Sequence, residues 1–225
     1  MQLYKIGVPE LAIGPLVSKL KSSLYIGPTL WLVSGGSNIP ISVSVMQALD
    51  SDLSANLTVA LTDERYGQYN HPESNWTKLK NSGFDPKRAH IIEPLKEDTS
   101  AGLDSITAYY AAELETALDN VNTAIGQFGM GEDGHIAGIL PQSPAARELP
   151  GIITSYASEP YTRITITFNG IRRLNCSFLI AMGASKLPQL ERLISQDLPL
   201  SDQPAQIIKQ IEESFVYNDQ IGGRN

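Results

Sequence analysis

The chain has 225 residues, 42% of them hydrophobic and 18% charged, a balance that supports a packed core and excludes a disordered chain. Its formal net charge of −7 argues against a nucleic-acid-binding surface, although a small cationic pocket for a phosphate fits inside an acidic protein. No apolar run approaches the roughly 20 residues that span a bilayer, no secretory signal pattern opens the sequence, and the lone cysteine, Cys176, excludes an internal disulfide. A cytoplasmic location with no membrane or nucleic-acid partner is expected.

A Gly-interrupted segment over residues 10–24 reads as a short N-terminal helix. Short apolar runs rich in β-branched and aromatic residues then alternate with segments of helical period. Strands are expected at Thr29–Val33, Leu57–Leu61, His90–Ile92, Thr123–Phe128, 163–168 and 175–182. Helices are expected over 39–49, 74–81, 100–118 and 187–195. In the third helix Leu103, Ile106, Tyr110, Leu114 and Leu118 recur at three- and four-residue steps, one apolar stripe to lay on a sheet. Cys176 falls in an apolar run and reads as a core thiol. The alternation predicts an α/β fold: a three-layer, Rossmann-like, mainly parallel sheet with helices on both faces, in a single domain over 1–225.

In open α/β sheets ligands bind beyond the carboxyl ends of the strands, and three polar clusters fall there. Ser34-Gly35-Gly36-Ser37-Asn38 lies between a strand and a helix that opens Ile39-Pro40, with proline in the first turn, where its missing N–H costs nothing. Backbone donors and a positive dipole end suit a phosphate; a capped turn without a ligand is the plainer reading. Thr62-Asp63-Glu64-Arg65 brings two acids and an arginine to a strand end. Asp63 or its neighbour beside Arg65 fits a base, a sugar-hydroxyl ligand or an ion-paired turn. His71 reads as solvated, His90 as an ordinary strand start, and Ser74 or Asn75 as a helix cap.

The third cluster, Gly129-Met130-Gly131-Glu132-Asp133-Gly134-His135, sets a carboxylate and an imidazole two residues apart among glycines, a pattern that suits proton transfer. Its Gly129, Gly131 and Gly134 also satisfy a dinucleotide fingerprint. That fingerprint should open a full helix with an acid roughly 20 residues on. Here Pro141 allows about two turns at most. A metal would find two ligands, Asp133 and His135, where catalytic zinc takes three, so neither metal nor cofactor is expected. Arg163 and Lys186, at strand edges, are either solvated charges or a phosphate clamp.

The ordered motifs Ser34-Gly35-Gly36-Ser37, Asp63-Glu64-Arg65, Glu73-Ser74-Asn75, Gly129 to Ala137 with Pro141, and Gly183-Ala184-Ser185-Lys186 resemble those of the 6-phosphogluconolactonases, which share a superfamily with the glucosamine-6-phosphate deaminases. The resemblance implies hydrolysis of 6-phosphoglucono-1,5-lactone in the oxidative pentose phosphate pathway. It implies His135, Asp133, Asp63 and Arg65 as the catalytic set, and Ser34, Gly35, Gly36, Ser37, Arg163, Lys186, Gly131 and Asn75 as the substrate and phosphate set. The partner would be a small sugar-phosphate lactone, and the enzyme a monomer or small homo-oligomer. Deaminases continue the histidine motif into Asn-Glu-Pro, whereas this chain has Gly138-Ile139-Leu140-Pro141, which favours the lactonase branch. One departure stands out: the family pattern Ser-Gly-Gly-Ser/Thr-Thr-Pro is one residue shorter than the loop ending at Pro40. A deaminase, a silent sugar-phosphate sensor and a nucleotide-dependent oxidoreductase remain as rivals.

Overall fold

The computed structural model describes residues 1–96 and 102–222. The strands are β1 (Gln2–Lys5), β2 (Thr29–Val33), β3 (Leu57–Leu61), β4 (Asp63–Arg65), β5 (His90–Ile92), β6 (Thr123–Phe128), β7 (Ile153–Ala157), β8 (Thr162–Ile166), β9 (Cys176–Ala181) and β10 (Glu213–Asn218). The α-helices are α1 (Ile13–Ile26), α2 (Ile39–Ala48), α3 (Asn75–Asn81), α4 (Leu103–Asn120), α5 (Phe168–Arg172) and α6 (Leu187–Ser195).

Seven strands form an all-parallel sheet in the order β1-β10-β9-β6-β2-β3-β5. All five residues of β2 are buried, yet their side chains still alternate between faces. Leu30 and Leu32 enter one core with Tyr110 and Leu114 of α4, while Trp31 and Val33 enter another with Leu16 and Leu20 of α1 and Met46 of α2. Strand β9 divides likewise, Leu179 and Ala181 to the first core and Phe178 and Ile180 to the second. A strand with two apolar faces needs a helical layer on each side, which gives the expected three layers in a single α/β domain. Cys176 is buried in the second core, and burial pushes its thiol up to about 12.

Four expectations need correction. The N-terminal helix is shifted and continuous through its glycine: α1 runs 14 residues from Ile13 to Ile26, with Gly14 and Pro15 in its first turn, where a missing side chain or N–H is tolerated. The strand expected over 163–168 ends at Ile166, because Thr167 caps α5 by accepting from Gly170 N at 3.2 Å. The residues after β3 are not a simple turn. Asp63–Arg65 pair antiparallel with β8, and β8 with β7, in a separate three-stranded sheet. His71 is half-buried, its Nε2 2.8 Å from the carbonyl of Arg65, rather than solvated. The start expected for the third helix, Ser100, lies outside the described residues.

Candidate active site

Beyond the carboxyl ends of β2, β3 and β6 lies a cavity of about 330 Å³. Its first wall is the loop after β2: Ser34, Gly35, Gly36 and Ser37 line it together with Asn38. Gly36 takes a φ of +64°, the left-handed region that favours glycine, and Gly36–Asn38 close a 3₁₀ turn before Pro40 enters the first turn of α2. Asn38 holds the N-cap position but makes no capping bond; its side chain is buried against the cavity instead. Its carbonyl accepts from Ser42 Oγ and Gln127 Nε2, each at 3.3 Å. Gln127, fully buried in β6, thus ties this loop to the sheet.

The second wall comes from β4 and α3. Adjacent carboxylates here have opposite fates. Glu64 points away from the cavity and accepts from Arg65 N, Asn75 N, Trp76 N and Ser74 Oγ, stapling the start of α3 to β4. Burial raises its pKa against those four donors. Asp63 faces the cavity, taking Thr62 Oγ1 on one oxygen at 3.1 Å and Asn75 Nδ2 on the other at 3.2 Å. Ser74, not Asn75, caps α3. Arg65 also lines the cavity, its plane set by Glu73 O at 3.0 Å and by the ring of Tyr161 below.

Arg65 and Arg163 are direct cross-strand partners of β4 and β8, and both line the cavity. Like charges placed opposite one another destabilise a sheet, so the pair makes physical sense around an anion. Lys186 approaches from the turn before α6, with burial lowering its pKa while Glu132 and Asp219 pull it up. A cationic wall has formed inside a chain of net charge −7.

The third wall is the loop after β6. His135 lines the cavity, and its Nδ1 sits 2.7 Å from Asp133 Oδ1. The same oxygen accepts His135 N at 3.1 Å. Burial raises the pKa of Asp133, but the hydrogen bonds and charge of His135 outweigh it and leave the carboxyl below its ordinary value. An ionised Asp133 accepts from Nδ1–H, which leaves Nε2 as the basic nitrogen. A Cβ on Gly131 would fall 2.1 Å from His135 Nδ1 and 2.5 Å from Asp133 Oδ1, so only glycine permits this pair. Asp133 alone of the expected residues does not line the cavity; its contact there is with His135. No helix follows Gly134, where Met130, Ile136 and Ile139 form isolated bridges, and this removes the dinucleotide reading. No cluster of three or more metal-ligating side chains occurs among the described residues.

The sequence reading missed Asn38, Gly129, Met130, Glu132 and Ala137 as lining residues. The loop lengthened at Asn38 was its one signal for the first; Met130 and Glu132 sit inside a motif already chosen for its neighbours. Unpaired polarity marks the site further. Among the described residues eight buried side-chain polar atoms lack a hydrogen-bond partner, and four belong to the cavity: Ser34 Oγ, Asn38 Oδ1, Arg65 Nε and Asn75 Oδ1. Buried polar groups are normally paired, and a cluster of exceptions points to a polar ligand.

Known proteins place the sequence and the fold. A family model described as glucosamine-6-phosphate isomerases/6-phosphogluconolactonase matches residues 21–217. A 6-phosphogluconolactonase of Streptomyces coelicolor is 27% identical over 195 residues, 79% of this chain and 75% of that one. One from Synechocystis is 25% identical over 175 residues, covering 72% and 70%. The fold matches the 6-phosphogluconolactonases of Trypanosoma brucei, at TM-score 0.78 and 16% identity over 97% of this chain and 96% of the other, and Thermotoga maritima, at 0.75 and 20% over 96% and 98%. Sequence motifs, sheet topology and family model therefore converge, and the chain belongs to the glucosamine-6-phosphate isomerase/6-phosphogluconolactonase family.

Proposed function

We propose that this chain is a hydrolase that opens 6-phosphoglucono-1,5-lactone to 6-phosphogluconate, with His135 as the general base. Named lactonases among its relatives support the reaction class. The observation that carries the catalytic assignment is the His135–Asp133 contact of 2.7 Å, on a histidine that shares its cavity with Arg65, Arg163 and Lys186. His135 Nε2 takes a proton from water as the water oxygen bonds to the lactone carbonyl carbon. As the tetrahedral intermediate collapses, the bond from that carbon to the ring oxygen breaks, and the imidazolium returns the proton to the departing oxygen. Asp133 holds the ring and stabilises its charged form. Arg65 faces the negative charge that grows on the carbonyl oxygen. The Ser34 to Ser37 loop with Arg163 and Lys186 holds the phosphate, so that remote binding energy positions the carbonyl. A cytoplasmic enzyme of the oxidative pentose phosphate pathway, acting as a monomer or small homo-oligomer, goes with this reading.

The lactone also opens by itself, so the test is acid release in a pH-stat with and without the protein. Release well above the spontaneous rate is expected; an unchanged rate overturns the proposal. One observation favours a second reading: Asp63, which a deaminase would use as a base at C2, faces the cavity. Against it, the segment after His135 carries no carboxylate, and Gly138 N instead donates to Thr165 Oγ1 at 3.0 Å. Ammonia release from glucosamine 6-phosphate would decide for the deaminase.

A further inference from the structure

Arg65 and Arg163, the two cavity arginines, both reach back to the turn over 158–161 that joins β7 to β8. Ser158 Oγ donates to the Tyr161 carbonyl at 2.8 Å and accepts from Arg163 Nε at 3.0 Å, so its proton and a lone pair are both engaged. The Tyr161 ring lies 5.3 Å from Arg65 Cζ, within reach of a cation–π contact. That ring is anchored in turn. Its hydroxyl donates to Glu73 Oε2 at 2.9 Å, an oxygen that also takes Lys78 Nζ at 2.6 Å. With its carboxylate so engaged, Glu73 meets Arg65 through its backbone carbonyl, at 3.0 Å.

A carboxylate would fix a guanidinium and also cancel its charge. Among the described residues neither arginine donates a hydrogen bond to a carboxylate; Asp63 Oδ2 stands 4.0 Å from Arg65 Nε, at the limit of an ion pair. A hydroxyl, a carbonyl and an aromatic face set direction and leave the charge for an anion. We propose that the β7–β8 turn is a positioning element for the reaction, in which Tyr161 aims Arg65 at the lactone carbonyl oxygen and Ser158 aims Arg163 at the phosphate. This rests on the lactonase reading above. Neither Ser158 nor Tyr161 lines the cavity, so each acts through its arginine. The two therefore carry different kinetic signatures: losing a contact made only in the transition state lowers kcat at constant KM, and losing uniform binding raises KM at constant kcat.

The test is hydrolysis of 6-phosphoglucono-1,5-lactone, corrected for spontaneous opening. Tyr161→Leu is expected to lower kcat about ten-fold at constant KM, while Tyr161→Phe, which keeps the ring, stays close to wild type. Ser158→Ala should raise KM about three- to ten-fold at constant kcat, with Ser158→Thr close to wild type. A merely structural role would persist without the arginines. Tyr161→Leu should therefore cost nothing further in Arg65→Ala, and Ser158→Ala nothing further in Arg163→Ala. Losses undiminished in those backgrounds overturn the inference, as does a Tyr161→Phe as damaged as Tyr161→Leu. Calorimetric titration with inorganic phosphate needs no turnover: Ser158→Ala should bind it about three- to ten-fold more weakly than wild type. Equal affinity overturns the inference even where a Tyr161 variant fails to fold. Absence of any lactonase activity in wild type instead overturns the function, and the phosphate titration then still decides on Ser158.

Discussion

Two concave regions differ in a way that separates function from packing. The cavity beyond the parallel strands measures about 330 Å³, while a groove where α1 leaves β1, β9 and β10 partly uncovered is larger, at about 540 Å³. The groove is walled by aromatic rings: Tyr4 stacks on Tyr217 at 5.0 Å, and Tyr217 on Phe178 at 6.0 Å. Its one lysine, Lys19, is satisfied by Glu213 at 2.6 Å. The cavity has the opposite character, with facing arginines, a histidine held by a carboxylate, and polar atoms left without partners. Size does not find the site here. Polarity that the fold gathers and leaves unpaired marks the cavity instead, where four of the eight unpartnered buried polar atoms among the described residues collect.

The largest effect that sharpens this contrast belongs to His135→Ala, which should cut turnover by ~10²- to 10⁴-fold, the range of general-base assistance. Next comes Gly131→Ala. Its methyl group would occupy the space of His135 Nδ1, and displacing a catalytic group by about 1 Å costs ~10²-fold; kcat should fall while thermal melting shows a folded protein. Lys186→Ala should act on KM, raising it roughly ten-fold, the low end for a hydrogen bond to a charged group. An unchanged KM would remove Lys186 from the phosphate site. The smallest effect is on stability. Because the folded Asp133 carboxyl lies below its ordinary value of 3.8, the contact with His135 contributes fully above that value and is lost as pH falls through the lower folded one. Melting temperature should therefore drop more steeply in acid for wild type than for Asp133→Asn, and parallel curves would contradict the pairing.

Much of this was legible in the sequence, and what was not has a physical pattern. Strands β2, β3 and β6 begin and end close to where their apolar runs do, since buried parallel strands carry little else, and the edge strand β5 also keeps its expected bounds. Strand β1 escaped notice because it is an edge, mostly exposed and of mixed character. Strand β4 escaped because Asp63-Glu64-Arg65 looks like a turn, and only pairing with β8 makes it a strand. Eleven of the cavity-lining residues were named from local motifs. Their division of labour was not, because it is set by distant partners: Glu64 turns inward to meet Asn75 and Trp76 while Asp63 beside it faces the cavity. The same holds for Gln127, a buried glutamine whose link to Asn38 crosses 89 residues.

The central claim is that the polar cavity, and not the larger apolar groove, performs the chemistry through His135. The most direct measurement is pH-stat hydrolysis of 6-phosphoglucono-1,5-lactone by wild type, His135→Ala and Leu11→Ser, the last an exposed groove residue. Wild type and Leu11→Ser should turn over alike and far above the spontaneous rate, with His135→Ala reduced by at least ~10²-fold. Wild-type turnover retained in folded His135→Ala would contradict the account.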